Sequence, residues 1–394
     1  MKKKYNLLYV AYGDPRLSKA HSIQIFFTLK NLSKFINVDV VYPFKRNVNK
    51  NFYYRSGIRI RLLPKSYFGG AIGVFIKNKK RVYILSIIDR IIYQFFVLIF
   101  LMVNNKRYEI VYTRDFITSF FINLYKYFFN FKVVYELHQI EYMFYVKNNI
   151  LKNILKTIEI NTILNSDSII TINNFMKKII KKSICIPDAF EHTLFRNINK
   201  SICRDLLKLP RNKKIILISG RSISGLKFII KTIYYFKMKN QKNTIFLIVG
   251  GNKHQLEFFH RISKKYNLNN IIITGPVKIN KMPFYINSAD FLLITYDKNI
   301  DAVYFKSPLK LFEYMATGVP IIAPNFISLK DVLTKKNSFL IKYDDVKSVY
   351  EIVNTVSSDK LKNISLRAKL DAKKYTYKRR ALLIYHNILN LLKG

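Results

Sequence analysis

Short apolar runs alternate with longer segments of helical spacing, and the alternation restarts halfway along the chain. In the first half, "YNLLYVAYG" (5–13), "VDVVYPF" (38–44), "EIVYTR" (109–114), "KVVYELH" (132–138) and "SIITIN" (168–173) read as strands. Helical patterns such as "HSIQIFFTLKNLSKF" (21–35) lie between them. In the second half the strands are "KKIILISG" (213–220), "NTIFLIVGG" (243–251), "NIIITGPV" (270–277), "DFLLITY" (290–296) and "VPIIAP" (319–324). This is the βαβ rhythm of an open parallel sheet, written twice. With 394 residues the chain is too long for one core. The expected fold is α/β, with two Rossmann-like doubly wound domains spanning 1–186 and 187–376. The seam falls in the polar stretch 185–201. A closing helix, 377–394, has no partner strand and is expected to pack back across the hinge.

Lys and Arg total 68 against 23 Asp and Glu, a net charge of +45. Such an excess suits nucleic acid, an anionic membrane or an anionic substrate. The basic residues are spread along the chain rather than clustered, and the richness in Lys, Asn, Ile, Tyr and Phe fits compositional drift. No basic stripe or recognition motif supports nucleic-acid binding. Cys185 and Cys203 are the only cysteines and have no metal-ligand spacing, so a reducing, cytoplasmic compartment is expected. The start, "MKKKYNLLYVAYGDPR", reads as a first strand rather than a signal peptide.

The segment "VYILSIIDRIIYQFFVLIFLMV" (82–103) is very apolar but is interrupted by Asp89, Arg90 and Gln94. Its clean part is shorter than the ~20 residues of a membrane span. Two readings compete: a buried helix, which is favoured, and an interfacial helix flanked by "KNKKR" (77–81) at the inner face of the cytoplasmic membrane.

Doubly wound sheets bind ligands at the carboxyl ends of their strands. Helix N-termini there offer free N–H groups and partial positive charge, which suit phosphate. The second half has four such places in strand order. They are "SGRSISGLK" with Gly220, Arg221 and Lys227; "VGGNK" with Gly250 and Gly251; "TGPV" with Gly275, Pro276 and Val277; and "KSPLKLFE" with Ser307, Pro308, Leu309, Lys310 and Glu313. An Arg, a Lys and a helix N-terminus together can clamp a diphosphate. A carboxylate at Glu313 suits ribose hydroxyls. No GxGxxG follows either opening strand, which argues against a dehydrogenase.

"SPLKLFEYMATGVPIIAP" (307–324) resembles the donor-binding signature of family 4 retaining glycosyltransferases of the GT-B fold, and the resemblance runs through nearly the whole chain. "VYELHQIE", "SDSIITINNFMKKII", "CIPDAF", "SGRSISGLK" and "NSADFLLI" are each similar to segments of that family. The resemblance implies two domains about a central crevice. The second would hold a nucleotide-diphosphate sugar and the first a glycan or lipid-linked acceptor hydroxyl. Transfer would proceed with retention by front-face attack, the donor's own phosphate taking the acceptor proton. Arg221, Lys227 and the amides near Leu309 and Lys310 would neutralise the leaving diphosphate, and backbone near Gly275–Val277 would meet the base. His138 would contact the transferring sugar. The resemblance also implies that neither metal nor cofactor is needed, and no DxD pair accompanies the loop.

There are departures. A first motif Glu falls on Phe305, the Gly after the clamp Lys is Phe228, and Asp188 and Ala189 replace Asn and Gly in the linker. They keep open a degenerate homologue acting as a partner subunit. Another GT-B enzyme, such as a sugar-nucleotide epimerase or a glycogen-type synthase, is a further alternative; epimerases usually need an acid/base pair of carboxylates, and the sequence shows no matching pair. On the acceptor side, Gly13, Arg16, Lys19 and His21 occupy the first β-to-α loop. They suit either an anionic acceptor or a plain polar connection. The segment 65–82 is expected to be a loop over the acceptor crevice or a membrane-contact patch.

Overall fold

The structure, a computed structural model, describes residues 5–17, 20–64, 79–104, 107–142, 149–299 and 301–393. The chain divides into two compact units, Met1–Pro187 with Tyr377–Gly394, and Asp188–Thr376. Lys19 and residues 65–78, for which roles were expected, lie outside the described residues.

The first unit contains β1 (Asn6–Val10), β2 (Asn37–Pro43), β3 (Ile58–Leu63), β4 (Ile110–Thr113), β5 (Lys132–Leu137), β6 (Ser168–Thr171) and β7 (Ile184–Cys185). They form one sheet in the order β3-β2-β1-β4-β5-β6-β7, with every pairing parallel. The second unit contains β8 (Lys214–Gly220), β9 (Thr244–Gly250), β10 (Ile271–Gly275), β11 (Phe291–Leu293), β12 (Ile321–Pro324) and β13 (Phe339–Ile341). Its order is β10-β9-β8-β11-β12-β13, again all parallel. The doubly wound pattern read from the sequence is therefore present twice.

Successive side chains of β8 go to opposite faces. Ile215 and Leu217 join a core with Leu311 and Phe312, while Ile216 and Ile218 join a second core with Ile229 and Ile233. A strand buried on both faces must be apolar throughout, which is why "KIILISG" shows no alternation. Three strands escaped the sequence reading. In β3, "IRIRLL", Arg59 and Arg61 are exposed on an edge strand, where charge discourages further pairing. β7 and β13 have only two and three residues, too few to show a period.

The helix Lys79–Val103 is not the buried helix that was favoured. Tyr93, Gln94 and Val97 are fully buried, but Ile91, Phe95, Ile99 and Met102 are exposed on the other side. The polar interruptions point inward: Asp89 is buried, and Arg90 pairs with Asp115 at 2.7 Å. The helix is apolar on both sides, with its polar residues among the inward ones, unlike the usual amphipathic pattern.

The helix Tyr377–Lys393 completes the first unit. Tyr377 stacks on Phe27 of the helix Ala20–Leu32 with centroids 5.3 Å apart, and Tyr385 stacks on Phe35 at 5.1 Å. Tyr377 is fully buried. Replacing it with Ala is expected to cost about 3–5 kcal/mol and to act on the first unit alone. Hydrogen exchange checks this: amide protection should fall in residues 5–187 and hold in 188–376.

Candidate functional site

Each unit gathers polar groups at the carboxyl ends of its central strands. In the second unit the site is built around the end of β8, Ser219–Gly220. Gly250, at the end of the neighbouring β9, has φ +104°, and a Cβ there would sit 2.2 Å from the Gly220 carbonyl oxygen. Only glycine permits that approach. The Gly251 N–H then donates to the same carbonyl at 2.8 Å. The following loop is held from two sides. Gln255 accepts from the Ile223 N–H at 3.0 Å and donates to its carbonyl at 2.6 Å. Thr295 Oγ1 donates to the Ser224 carbonyl at 2.7 Å.

This loop delivers the chain to the helix Leu226–Met238, whose N-cap is Gly225, a residue at φ +76° with no side chain to cap the first turn. A second helix, Leu309–Thr317, starts at Pro308, which also provides no capping side chain. Two helix N-termini thus keep orphan N–H groups. Lys310 links the second helix to β8: its Nζ donates to the Ser219 carbonyl at 3.3 Å and lies 5.1 Å from the centre of the Tyr296 ring. Tyr314, one turn on, shares a 2.6 Å hydrogen bond with Ser219 Oγ. Burial pushes the Lys310 ammonium down to about 8, against the pull of Glu313. Burial pushes the Glu313 carboxyl up to about 7, against Lys310. Both groups therefore sit near their titration points at neutral pH.

Gly220, Gly250, Gly251 and Lys310 are thus brought to one strand end, and Glu313 follows on the Lys310 helix within electrostatic reach of it. Arg221 and Lys227 are exposed beside it, and neither is in an ion pair among the described residues. Ser307 is half-buried just ahead of the helix. Gly275 ends β10 at the sheet edge and Pro276 and Val277 follow it, with β9 between β10 and β8, so they stand about 10 Å from the β8 end by strand spacing. Phe228 and Phe305 are buried, so each fills core volume where the resemblance has a smaller or a charged residue.

In the first unit the centre is Glu136 and His138, two residues apart on and just after β5 and hence on one face of the strand. His138 Nε2–H donates to Glu136 Oε1, and Arg114 donates to His138 Nδ1 at 3.0 Å. Arginine only donates, so Nδ1 is the acceptor and the ring is neutral with its proton on Nε2. Burial, then the Arg114 cation, push His138 down to about 3, against Glu136. Burial alone would raise Glu136, but Arg380, then His138 and Arg114, hold its carboxyl well below the usual range. Arg380 comes from the helix Tyr377–Lys393. Its guanidinium lies 2.7 Å from Glu136 Oε2 and donates to the Ile186 and Pro187 carbonyls, each at 2.7 Å. Tyr112 donates to Glu136 as well, and Arg114 donates to Gln24 of the helix Ala20–Leu32.

The expected acceptor-side residues are close to one another in the loop after β1. A Cβ on Gly13 would lie 2.7 Å from His21 Nε2, so the imidazole rests against that glycine. Arg16 Nε donates to both carboxylate oxygens of Asp14, at 2.9 and 3.1 Å, which already neutralises much of its charge. Sequence reasoning missed Arg114, Glu136, Arg380, Gln255 and Tyr296. The period-two spacing of Glu136 and His138 in "ELH" was the one available signal. Arg380 was hidden among 68 basic residues.

Residues 213–359 match the family model described as Glycosyl transferases group 1. TuaH of Bacillus subtilis (strain 168), whose name assigns it to teichuronic acid biosynthesis as a glycosyltransferase, is 26% identical over 186 residues. That match spans 45% of this chain and 45% of TuaH. Sucrose-phosphate synthase from Thermosynechococcus elongatus superposes with a TM-score of 0.75 at 14% identity, covering 99% of this chain and 100% of that one. HepE from Anabaena, solved with UDP-glucose, superposes at 0.71 and 14%, covering 98% and 99%. The fold is GT-B.

Arg380 tests how the first-unit cluster is held. Arg380→Ala leaves a buried carboxylate uncompensated, and a loss of about 3–5 kcal/mol of stability is expected. Adding Glu136→Gln to it should restore a substantial part. Chemical denaturation of the single and double variants gives the comparison.

Proposed function

We propose, from the premise that this is a GT-B chain with a group 1 glycosyl transferase domain at residues 213–359, that it is a retaining glycosyltransferase of polysaccharide or glycolipid synthesis. It moves a sugar from a nucleotide-diphosphate sugar to a hydroxyl of a glycan or lipid-linked acceptor. One observation carries the reading. Two uncapped helix N-termini and Lys310 gather at the carboxyl end of β8 in the second unit, with Glu313 one turn along the Lys310 helix and within electrostatic reach of it. Preorganised N–H groups and cations of this kind suit a leaving diphosphate, and a carboxylate one turn inside the helix suits a ribose diol.

The second unit holds the donor. Arg221 and Lys227, with no ion pair among the described residues, reach the diphosphate, as do Lys310 and the amides of Leu309 and Lys310. Glu313 accepts from the ribose hydroxyls. The bond from the anomeric carbon to the phosphate oxygen breaks, and the bond to the acceptor oxygen forms on the same face. The acceptor proton passes to the departing phosphate oxygen. His138 fits that route. Its two ring nitrogens are engaged and its basicity is low, so it serves as a fixed polar group rather than a base. With cations already placed at the diphosphate, transfer is expected to continue in EDTA. TuaH and HepE support the reading by what their names state: teichuronic acid synthesis for one, bound UDP-glucose for the other.

Calorimetric titration with UDP, GDP, ADP and dTDP tests the donor site. One nucleoside diphosphate is expected to bind, and Lys310→Ala or Arg221→Ala to weaken it about 10- to 100-fold, the loss of one charge-assisted hydrogen bond. No binding by any of them to folded protein would sink the proposal.

The pH dependence is a separate check. Binding needs Glu313 ionised and Lys310 protonated. Affinity should fall as pH drops through about 7, the carboxyl taking up a proton, and again as it rises through about 8, the ammonium losing one. Glu313→Gln should abolish the acid limb and leave the alkaline one.

A further inference from the structure

Three helices of the first unit lie side by side. Lys79–Val103 is tied to Phe116–Phe129 by Gln94, which donates to Thr118 Oγ1 at 3.0 Å, and by Tyr125, which donates to the Gln94 carbonyl at 3.0 Å. Phe116–Phe129 is tied in turn to Asn149–Asn165: Asn123 donates to Ser166 Oγ at 3.0 Å, and Lys126 to the Asn165 carbonyl at 2.6 Å. Their inner sides enter the protein through Tyr93, Val97, Ile122 and Leu155, all buried.

The outer sides are apolar too. On the first helix Phe95 is 59% exposed, with Ile91, Ile99 and Met102 on the same side. On the second, Phe128 is 81% exposed beside Tyr127. On the third, Leu164 is 64% exposed and Ile154 also faces solvent. Acidic groups are withdrawn from this layer. Asp89 and Glu159 are buried, and Phe116–Phe129 contains no carboxylate. Lys152 and Lys156 remain on the third helix, with Lys156 exposed. In the sequence, the first helix begins Lys79-Lys80-Arg81.

We propose that this three-helix layer docks the protein on an anionic lipid surface. Aromatic and aliphatic side chains enter the headgroup boundary, and the lysines meet lipid phosphates. Exposed apolar area on this scale marks an interaction site, and charge selects the occupant. A second copy of the chain would bring another +45 against the first, whereas an anionic bilayer complements it. Leu85–Val103 is long and apolar enough to cross a bilayer. However, Tyr93, Gln94 and Val97 are packed into the protein, so the helix lies in the plane of the interface. The site is independent of the donor residues, which all belong to the second unit.

The experiment is co-sedimentation with vesicles of phosphatidylcholine alone and of equimolar phosphatidylcholine and phosphatidylglycerol. Partitioning into the anionic vesicles is expected to be at least about tenfold stronger and to weaken with added salt. Phe95→Ser with Phe128→Ser should weaken it about tenfold or more, and so should Lys152→Glu with Lys156→Glu. Thermal melting confirms that each variant is folded, and nucleoside diphosphate titration should give the wild-type result. Failure of that titration in every variant and in wild type alike would count against the donor site, not against this surface. Absence of partitioning by folded wild type, equal partitioning into both vesicle types, or variants that bind like wild type would overturn the proposal. So would a wild-type dimer in light scattering that Phe95→Ser with Phe128→Ser converts to monomer, because the layer would then belong to a second copy.

Discussion

A parallel sheet covered by helices on both faces has no solvent-facing side. Its strands must be apolar along their length, and polar chemistry is confined to the loops that leave their carboxyl ends. Both sheets of this protein obey that constraint. In the second, "KIILISG" is exposed at Lys214, spends Ile215–Ile218 on two cores and turns polar at Ser219–Gly220, where Lys310 is held. In the first, β5 is buried from Val133 to Leu137, and the polar pair appears at its carboxyl end, at Glu136 and His138. The position of each site follows from how its sheet is covered.

Charge adds a second constraint. With so few carboxylates for so many cations, some acids gather several partners. Glu136 has Arg380, Arg114 and Tyr112 about it, and Asp290 holds both Arg204 and Lys200 at 2.6 Å. Neither Lys310 nor Glu313 has an ion-pair partner within 4 Å among the described residues, and burial dominates both. A site whose charges are incompletely compensated is prepared for a ligand that completes them.

Much of this was legible from residue order. The βαβ rhythm located ten of the thirteen strands among the described residues, because strands buried on both faces leave unbroken apolar runs. The glycines and the "SPLK" segment marked the second site, because close backbone approach and helix starts have local signatures. What was not legible depends on long-range contact. Gln255 holds a loop more than thirty residues away in sequence, and Arg380 meets Glu136 across most of the chain. The helix Lys79–Val103 misled because composition cannot say which side of an apolar helix is covered. Its Asp89 and Arg90, which looked like solvent-facing breaks, are the inward ones.

The first unit is discontinuous, since its last helix arrives only after the whole second unit. During synthesis the second unit emerges complete and uninterrupted. The sheet of the first, made earlier, waits with Phe27, Phe35 and Glu136 uncovered until Tyr377, Tyr385 and Arg380 leave the ribosome. N-terminal domains ordinarily finish folding first. Here the order of completion runs backwards, and the nascent chain carries an unfinished apolar surface, and Glu136 without its Arg380 partner, until the last helix is made.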